Sequence, residues 1–335
     1  MIAVALDDLL AARSLDRTRA RAVMGLVMDG EATPVQIAGL LVALRAKGET
    51  AEEIAGFAEA MRERMVPVTI GRHTIDVVGT GGDGRHTFNI STAAALVAAA
   101  AGAAVAKHGN RAASSPAGAA DVLEALGLVI EQTPERIAAS VETLGFGFMF
   151  ARAHHPAMRH AAPVRRELGT RTVFNVLGPL CNPAGTCDGV FGVYDAALAR
   201  IYAEALAALG SRRAFVVHAD DGTDEISPSC PTLVVEVVSG SIEEWELDPR
   251  ALGIYPSPPE DLRGGTPEEN AAAMRALFAG ERGGRRDAVV LNAGAALAAA
   301  GIVADIGEGL GLAESTIDSG AVTERLRQVV ESSRG

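Results

Sequence analysis

A short apolar strand that runs into a glycine-rich loop constrains the fold of this chain more than any other feature. The run DVVGTGGDG at 76–84 predicts a buried strand that breaks into four glycines and an acid. A helix of small apolar residues is predicted over 91–101, with Gly102 as its stop, and a second strand over 103–106. This order of elements is a βαβ unit, which indicates an α/β fold with parallel strands.

Both strands of this unit end in unusual loops. The first loop is rich in glycine, and the second, KHGNR at 107–111, is cationic. Glycine lets backbone N–H groups approach an anion, and the start of the next helix adds its dipole. The spacing matches neither the P-loop nor the dinucleotide motif, so the glycines alone are weak evidence. The two loops together predict a phosphate cradle.

Composition narrows the possible classes of protein. The chain has 335 residues, which suits about two domains, and its net charge is −12, which argues against non-specific binding to nucleic acid. The three cysteines, Cys181, Cys187 and Cys230, lack the spacing of a metal site and favour a reducing compartment. The first residues carry no signal-peptide pattern, and the uncharged run 87–106 predicts a buried helix and strand. We therefore expect a cytoplasmic protein with neither a membrane nor nucleic acid as a partner.

The pattern of elements changes along the chain. Residues 1–66 predict only helices and form a small helical domain, which we expect the Pro-, His- and Arg-rich segment 155–184 to join. Residues 74–150 and 185–335 predict a larger α/β domain with a mostly parallel central sheet. Its further strands are predicted at 146–151, 190–194, 214–218, in a hairpin over 233–246 that turns at 239–240, and at 288–292. A cleft between the two domains would receive both loops.

Several residues at predicted strand ends and helix starts have the chemistry of a site. TFNIST at 87–92 places hydroxyls and an amide in a first helical turn, where they suit phosphate or simple capping. Asp224 and Glu225 follow a strand and suit magnesium, although a solvated acidic turn explains them equally well. Arg165 and Arg166 lie on a helix where either one could pair with a carboxylate, or both could face solvent. His154 and His155 suit acid–base chemistry, capping or a place in the core.

Together these motifs resemble the anthranilate phosphoribosyltransferase family. The similar segments, in the family's order, are DVVGTGGDG, TFNIST, KHGNR, ADVLEALG, HHPAM, PVRRELGTRTVFNVLGPLCNPAG and DGTDEIS, preceded by the helical TPVQIAGLLVALRAKGETAEEIAGF. The resemblance implies the fold shared by nucleoside phosphorylases and phosphoribosyltransferases. It also implies transfer of the phosphoribosyl group from 5-phosphoribosyl 1-diphosphate to anthranilate, with release of pyrophosphate, in tryptophan biosynthesis. A homodimer and two magnesium ions per subunit are further implications.

The resemblance also implies roles for particular residues. The diphosphate substrate would be bound by Gly79, Gly82, Asp83, Thr87, Asn89, Ile90, Ser91, Thr92, Lys107, His108, Gly109, Asn110, Arg111, Ser114, Ser115 and Ala119. Catalytic roles would fall to Lys107, His108 and Asn110. Anthranilate would face Gly79, Asn110 and Arg165, so that the resemblance selects Arg165 over Arg166. Magnesium would be held by Ser91, Asp224 and Glu225.

Two departures from the family pattern and two alternative functions stay open at this point. Ala119 stands where the family often has a serine that would touch phosphate, so we expect an effect on substrate affinity. Pro116 stands where family members often have a longer polar or basic side chain, and because proline suits a helix start we expect little effect on function. A pyrimidine nucleoside phosphorylase would have the same fold, but KHGNR and the acid pair argue against it. A non-enzymatic relative that binds nucleic acid is disfavoured by the net charge of −12.

Overall fold

The computed structural model describes residues 1–112 and 116–335, so that Ser114 and Ser115 lie outside the described residues. The first helices are α1 (Ile2–Leu10), α2 (Arg17–Met28), α3 (Pro34–Lys47), α4 (Ala51–Arg62), α5 (Ile90–Ala100), α6 (Ala119–Ala125) and α7 (Pro134–Leu144). They are followed by α8 (Ala151–His154), α9 (Ala162–Leu168), α10 (Phe174–Leu180), α11 (Ala196–Ala208), α12 (Pro267–Phe278), α13 (Gly284–Ala299), α14 (Ile306–Asp318) and α15 (Ala321–Arg334). Short 3-10 helices span Pro156–His160, Pro249–Leu252 and Pro259–Leu262.

The strands form a mostly parallel sheet. They are β1 (Asp76–Gly79), β2 (Val105–Gly109), β3 (Phe146–Phe150), β4 (Gly189–Gly192), β5 (Arg213–Ala219), β6 (Thr232–Val238) and β7 (Ser241–Leu247). The order is β1-β4-β5-β6-β7, with β1, β4 and β5 parallel and the β6–β7 hairpin antiparallel. A parallel pair, β2 and β3, joins this sheet through a bridge between Ile75 and Val105. The α/β fold class with a helical bundle is thereby confirmed.

The N-terminal helices begin where the sequence supplies caps. Thr33 and Thr50 each accept a hydrogen bond from the third helical N–H, and the Gln36 and Glu53 side chains bond back to the cap N–H. The apolar faces of these helices form one core around residues such as Phe57. The 155–184 segment contributes to the same core through α9 and α10, which pack on α3 and α4. The same core continues into β4, β5 and β6, and the division into domains stays a prediction.

The α/β part is built around an alanine-rich helix. Residues 93–99 of α5 are fully or almost fully buried, and α5 packs closely against α13. Alanine has the highest helix propensity, and its small side chain lets neighbouring backbones approach. In the described residues, no helix is both long enough and apolar enough to cross a bilayer.

One predicted strand is wrong. Residues 288–292 lie inside α13, a helix that is buried over most of its length. A short apolar run looks the same in a buried strand and in a buried helix, so periodicity could not separate them. The hairpin prediction is confirmed, because Ser239 and Gly240 form the turn with φ of 47° and 89°. Positive φ at both central residues is the geometry that tight hairpins favour.

Candidate active site

A cavity of about 370 Å³ opens at the carboxyl ends of β1 and β2. Its walls are the glycine-rich loop, the KHGNR loop, the starts of α5 and α6, and the acid pair that follows β5. The predicted site residues that line it are Gly79, Gly82, Asp83, Thr87, Asn89, Ile90, Ser91, Thr92, Lys107, His108, Gly109, Asn110, Arg111, Ala119, Asp224 and Glu225. The fold thus brings together residues that are up to 146 positions apart in sequence, from Gly79 to Glu225.

The glycine loop depends on glycine at specific positions. Gly81 and Gly82 have φ of 69° and 81°, in the left-handed region that other residues rarely adopt. A Cβ at Gly79 would overlap the carboxylate of Asp224. The Gly81 N–H donates a 2.6 Å hydrogen bond to Asp224 Oδ2. Because the loop approaches the acid pair this closely, the strand end and the acids form one surface.

The two acids are held in an environment that disfavours charge. Asp224 is buried, and burial together with the nearby Asp83 raises its pKa to about 6. Burial and the neighbouring Asp224 raise the pKa of Glu225 to about 8, although Glu225 accepts a 3.1 Å bond from the Ser91 N–H. Buried carboxylates with such raised pKa values in a cleft are typical of functional sites.

The donor set fits a divalent cation that is bound together with a substrate. Asp83 Oδ2 is buried and has no hydrogen-bond partner in the part of the chain that the structure describes. Within those same residues, no three His, Cys, Asp or Glu side chains are placed to hold a metal by themselves. Magnesium is commonly bound by one or two carboxylates plus substrate oxygens and water. The residues present therefore fit magnesium carried by an anionic substrate.

Lys107 lies at the floor of the cavity. Its side chain is almost fully buried, and Nζ donates a 2.5 Å hydrogen bond to the carbonyl of Val77. Burial lowers the pKa of Lys107, while the charges of Asp76 and Glu225 oppose that shift. The ammonium group of Lys107 is therefore held in one orientation beside the acid pair.

His108 follows Lys107 and is also buried. Its pKa lies well below the ordinary value, first because of burial and then because of the nearby His155, whose ring centroid is 5.1 Å away. The Nε2 atom of His108 has no hydrogen-bond partner among the described residues. The ring is therefore neutral at pH 7, with an unused polar atom.

Arg111 and Arg165, the two arginines predicted to contact the substrates, differ in whether they line the cavity and in whether they are paired. Arg111 lines the cavity, but its guanidinium pairs with Asp121 at 2.9 Å and with Glu124 at 2.5 Å, so much of its charge is already compensated. Arg165 does not line the cavity. It is partly buried on α9 with its guanidinium 5.1 Å from the Phe174 ring, and burial lowers its pKa. Arg166 is exposed.

Sequence reasoning missed several polar residues at the site. Asn175 on α10 lines the cavity, and Asn270 on α12 donates a 2.9 Å bond to the side chain of Asn89. Asp76 and Asn182 are fully buried beneath the two loops. The available signal was a polar residue inside or beside an apolar run, as in DVVG for Asp76 and VFNVL for Asn175.

Family models define the class of protein. The helical bundle domain of the glycosyl transferase family matches residues 4–65, and the a/b domain of the same family matches residues 71–323. A more specific assignment comes from individual relatives. The anthranilate phosphoribosyltransferase of Thermomicrobium roseum is 54% identical over 334 residues, which cover 98% of this chain and 96% of the relative.

Solved structures agree with these relatives. The anthranilate phosphoribosyltransferase of Thermus thermophilus superposes with a TM-score of 0.94 at 50% identity and covers 99% of both chains. That of Saccharomyces cerevisiae, in complex with PRPP (5-phosphoribosyl 1-diphosphate) and Mg, has a TM-score of 0.90 at 28% identity, covering 99% of this chain and 97% of the other. The chain belongs to the anthranilate phosphoribosyltransferase family, and the resemblance found in the sequence is confirmed.

Proposed function

We propose that this protein transfers the 5-phosphoribosyl group from 5-phosphoribosyl 1-diphosphate to the amino group of anthranilate. The products are N-(5-phosphoribosyl)anthranilate and pyrophosphate, and the step belongs to tryptophan biosynthesis. The observation that carries the proposal is a single cavity in which a glycine loop, a buried lysine and a buried acid pair converge. Family membership gives the same reaction.

The diphosphate substrate is proposed to lie against the glycine loop and the start of α5. Gly79, Gly82 and the residues after them offer backbone N–H groups, and Lys107 offers the buried positive charge. At the helix start, Thr92 Oγ1 is buried without a partner among the described residues, which leaves a hydroxyl for the ligand. The complete proposed set is Gly79, Gly82, Asp83, Thr87, Asn89, Ile90, Ser91, Thr92, Lys107, His108, Gly109, Asn110, Arg111, Ala119 and the undescribed Ser114 and Ser115.

Magnesium is proposed to be held by Ser91, Asp224 and Glu225, with two ions per subunit. The yeast relative was solved with PRPP and Mg, which supports magnesium use here. When bound, the metal would supply positive charge to the oxygens of the leaving diphosphate. The acids must lose their protons to bind it, because only the carboxylate form is a ligand.

The reaction breaks the bond between C1 of the ribose and the diphosphate oxygen and forms a bond from C1 to the anthranilate nitrogen. The aromatic amine is neutral at pH 7, so its lone pair is free to attack without a base. Lys107 stabilises the negative charge that develops on the diphosphate, and one well-placed donor contributes about 3 kcal/mol to such a step. The nitrogen then gives up a proton, and the neutral Nε2 of His108 is the proposed acceptor.

Anthranilate is proposed to lie against Gly79, Asn110 and Arg165, with its carboxylate toward the arginine. Burial lowers the pKa of Arg165, and no anion among the described residues opposes that shift. A yeast relative was solved with 4-fluoroanthranilate, a close analogue of the acceptor. A homodimer and a cytoplasmic location complete the proposal and rest on the family resemblance.

Product analysis tests the proposal. Purified protein with both substrates and Mg²⁺ should release one pyrophosphate for each anthranilate consumed, with N-(5-phosphoribosyl)anthranilate as the other product by mass spectrometry. The pyrimidine nucleoside phosphorylase alternative predicts instead that thymidine or uridine is cleaved by inorganic phosphate. Phosphorolysis without anthranilate consumption would replace the proposed function by this alternative.

A further inference from the structure

The strands that carry the two loops of the active site separate just below it. Within the described residues, β1 and β2 are joined by one bridge, where Ile75 N–H donates to Ala104 O at 2.9 Å and Ala106 N–H donates to Ile75 O at 3.0 Å. Beyond this point β1 pairs with β4 and β2 pairs with β3. The gap between the strands therefore needs other contacts to set the distance between the loops.

The carboxylate of Asp76 supplies contacts across this gap. Asp76 is fully buried, and its Oδ1 accepts a 2.8 Å bond from the Val77 N–H. Its Oδ2 accepts a 3.2 Å bond from the N–H of His108, on the opposite strand. One acidic side chain thus replaces a missing backbone ladder bond between β1 and β2.

Lys107 crosses the same gap in the other direction. Its Nζ donates to the carbonyl of Val77, the residue that follows Asp76. Burial raises the pKa of Asp76 and lowers the pKa of Lys107, and the charge of each group opposes the shift of the other. Asp76 on β1 therefore binds the backbone of β2, and Lys107 on β2 binds the backbone of β1.

Asn182 closes the arrangement from outside the two strands. Its fully buried Nδ2 donates to Asp76 Oδ2 and to the Ala106 carbonyl, both at 2.8 Å, while its Oδ1 accepts from the Ala184 N–H at 2.8 Å. The bond to Oδ2 fixes the direction of the carboxylate, and the bond to Ala106 ties β2 to the segment before β4. Neither Asp76 nor Asn182 lines the cavity.

We propose that Asp76 and Asn182 are positioning residues that hold Lys107 and His108 against the diphosphate substrate. They act through the lysine and through the backbone of β2, without touching the substrate. This inference rests on the proposed function, since Lys107 matters only if an anionic substrate occupies the cavity.

A double-mutant cycle between Asp76 and Lys107 tests the inference. Asp76→Asn keeps the shape of the side chain but removes its charge, and it should lower kcat/KM for the diphosphate substrate about 100-fold, with KM for anthranilate changed less than about twofold. In the Lys107→Met background, the same change should cost about tenfold at most, because Lys107, one of the two routes through which Asp76 acts, is gone. Multiplying effects in the double variant would overturn the proposal.

A second variant and a binding measurement keep the test independent of folding and of turnover. Asn182→Ala leaves the carboxylate in place and should weaken the binding of magnesium pyrophosphate, measured by calorimetry, about tenfold. The matched control is Asp188→Asn, which changes another buried acid, one that pairs with His73 and Arg212 away from the cavity. It should lower the melting temperature without changing pyrophosphate affinity.

These outcomes separate the two claims. An inactive wild-type protein that also fails to bind pyrophosphate would contradict the proposed function itself. The positioning role alone would be contradicted if the wild type is active but Asn182→Ala binds pyrophosphate normally. A loss of pyrophosphate affinity in Asn182→Ala that is no larger than the loss in the Asp188→Asn control would have the same meaning.

Discussion

Single residues of the glycine loop are fixed by contacts that permit no side chain. Gly79 ends β1 directly against the carboxylate of Asp224, and a Cβ there would displace an acid that we propose as a magnesium ligand. By contrast, no atom of the described chain lies near the place that a Cβ on Gly311, in α14, would occupy. The two positions therefore offer a matched comparison.

We expect Gly79→Ala to lower kcat/KM for the diphosphate substrate by about 100-fold, because a displacement of roughly 1 Å at a reacting site costs this much. Gly311→Ala should leave kcat/KM unchanged and raise the free energy of unfolding by up to about 1 kcal/mol. Steady-state kinetics and denaturant unfolding of both variants measure these effects. Normal kinetics for Gly79→Ala would show that the acid beside it is not part of the site.

The two adjacent arginines on α9 give the second comparison. Arg165→Met should raise KM for anthranilate at least about tenfold, because the carboxylate of anthranilate loses its proposed cationic partner. KM for the diphosphate substrate should stay within about twofold. Arg166→Met, at the exposed neighbour, should change neither constant. Equal increases in both constants for Arg165→Met would remove Arg165 from the proposed role.

The raised pKa of Glu225 predicts a pH dependence of stability without metal. Between about pH 5 and pH 8 the folded state keeps a proton on Glu225 that the unfolded chain has already lost, so the free energy of unfolding falls as pH rises through this window. The melting temperature of metal-free protein should therefore fall less steeply over this window in Glu225→Gln than in the wild type. Identical slopes for both proteins would show that Glu225 titrates normally.

At the scale of elements, the connection between α9 and α10 meets the glycine loop. The guanidinium of Arg171 lies 4.1 Å from the Tyr194 ring and donates to the carbonyl of Gly82. The Tyr194 N–H donates in turn to Thr80 Oγ1 at 3.1 Å. The segment that leads from Arg165 to Asn175 thus holds the loop on which the diphosphate would lie.

We expect Arg171→Ala to raise KM for the diphosphate substrate about fivefold to tenfold. The glycine loop then loses the guanidinium that donates to Gly82 and stacks on the Tyr194 ring. Arg200→Ala is the control, since the one ion pair of Arg200 with a residue that the structure describes is an exposed pair with Glu204 on α11. Initial-rate kinetics at saturating anthranilate measure both. An unchanged KM in Arg171→Ala would mean that the loop is held by its own backbone alone.

Elements were predictable where local chemistry decides them. Caps at Thr33 and Thr50, and the turn at 239–240, are set by neighbouring residues, so the sequence was enough. The run at 288–292 was mispredicted because burial on all sides removes the periodicity that separates strand from helix. Asp76 and Asn182 were missed because their partners lie up to 106 positions away, which no local pattern shows.

At the scale of the whole molecule, one apolar core connects the helical bundle with the sheet. Phe57 and Leu180 of the bundle belong to the same buried cluster as Phe191, Val216 and Val235 of the strands. This shared core fixes α9 and α10 beside the loops of the α/β part. The active site is therefore a property of the assembled chain, with the proposed anthranilate arginine on one part and the diphosphate cradle on the other.

The most direct test of the central claim follows the fluorescence of anthranilate. Wild-type protein with 5-phosphoribosyl 1-diphosphate and Mg²⁺ should remove that fluorescence, while the same mixture with EDTA, or the Asp224→Asn/Glu225→Gln variant with Mg²⁺, should lose at least about 100-fold in rate. Magnesium-dependent loss of fluorescence by the wild type alone is the predicted result. A folded wild-type protein that leaves anthranilate unchanged would contradict the proposed phosphoribosyl transfer.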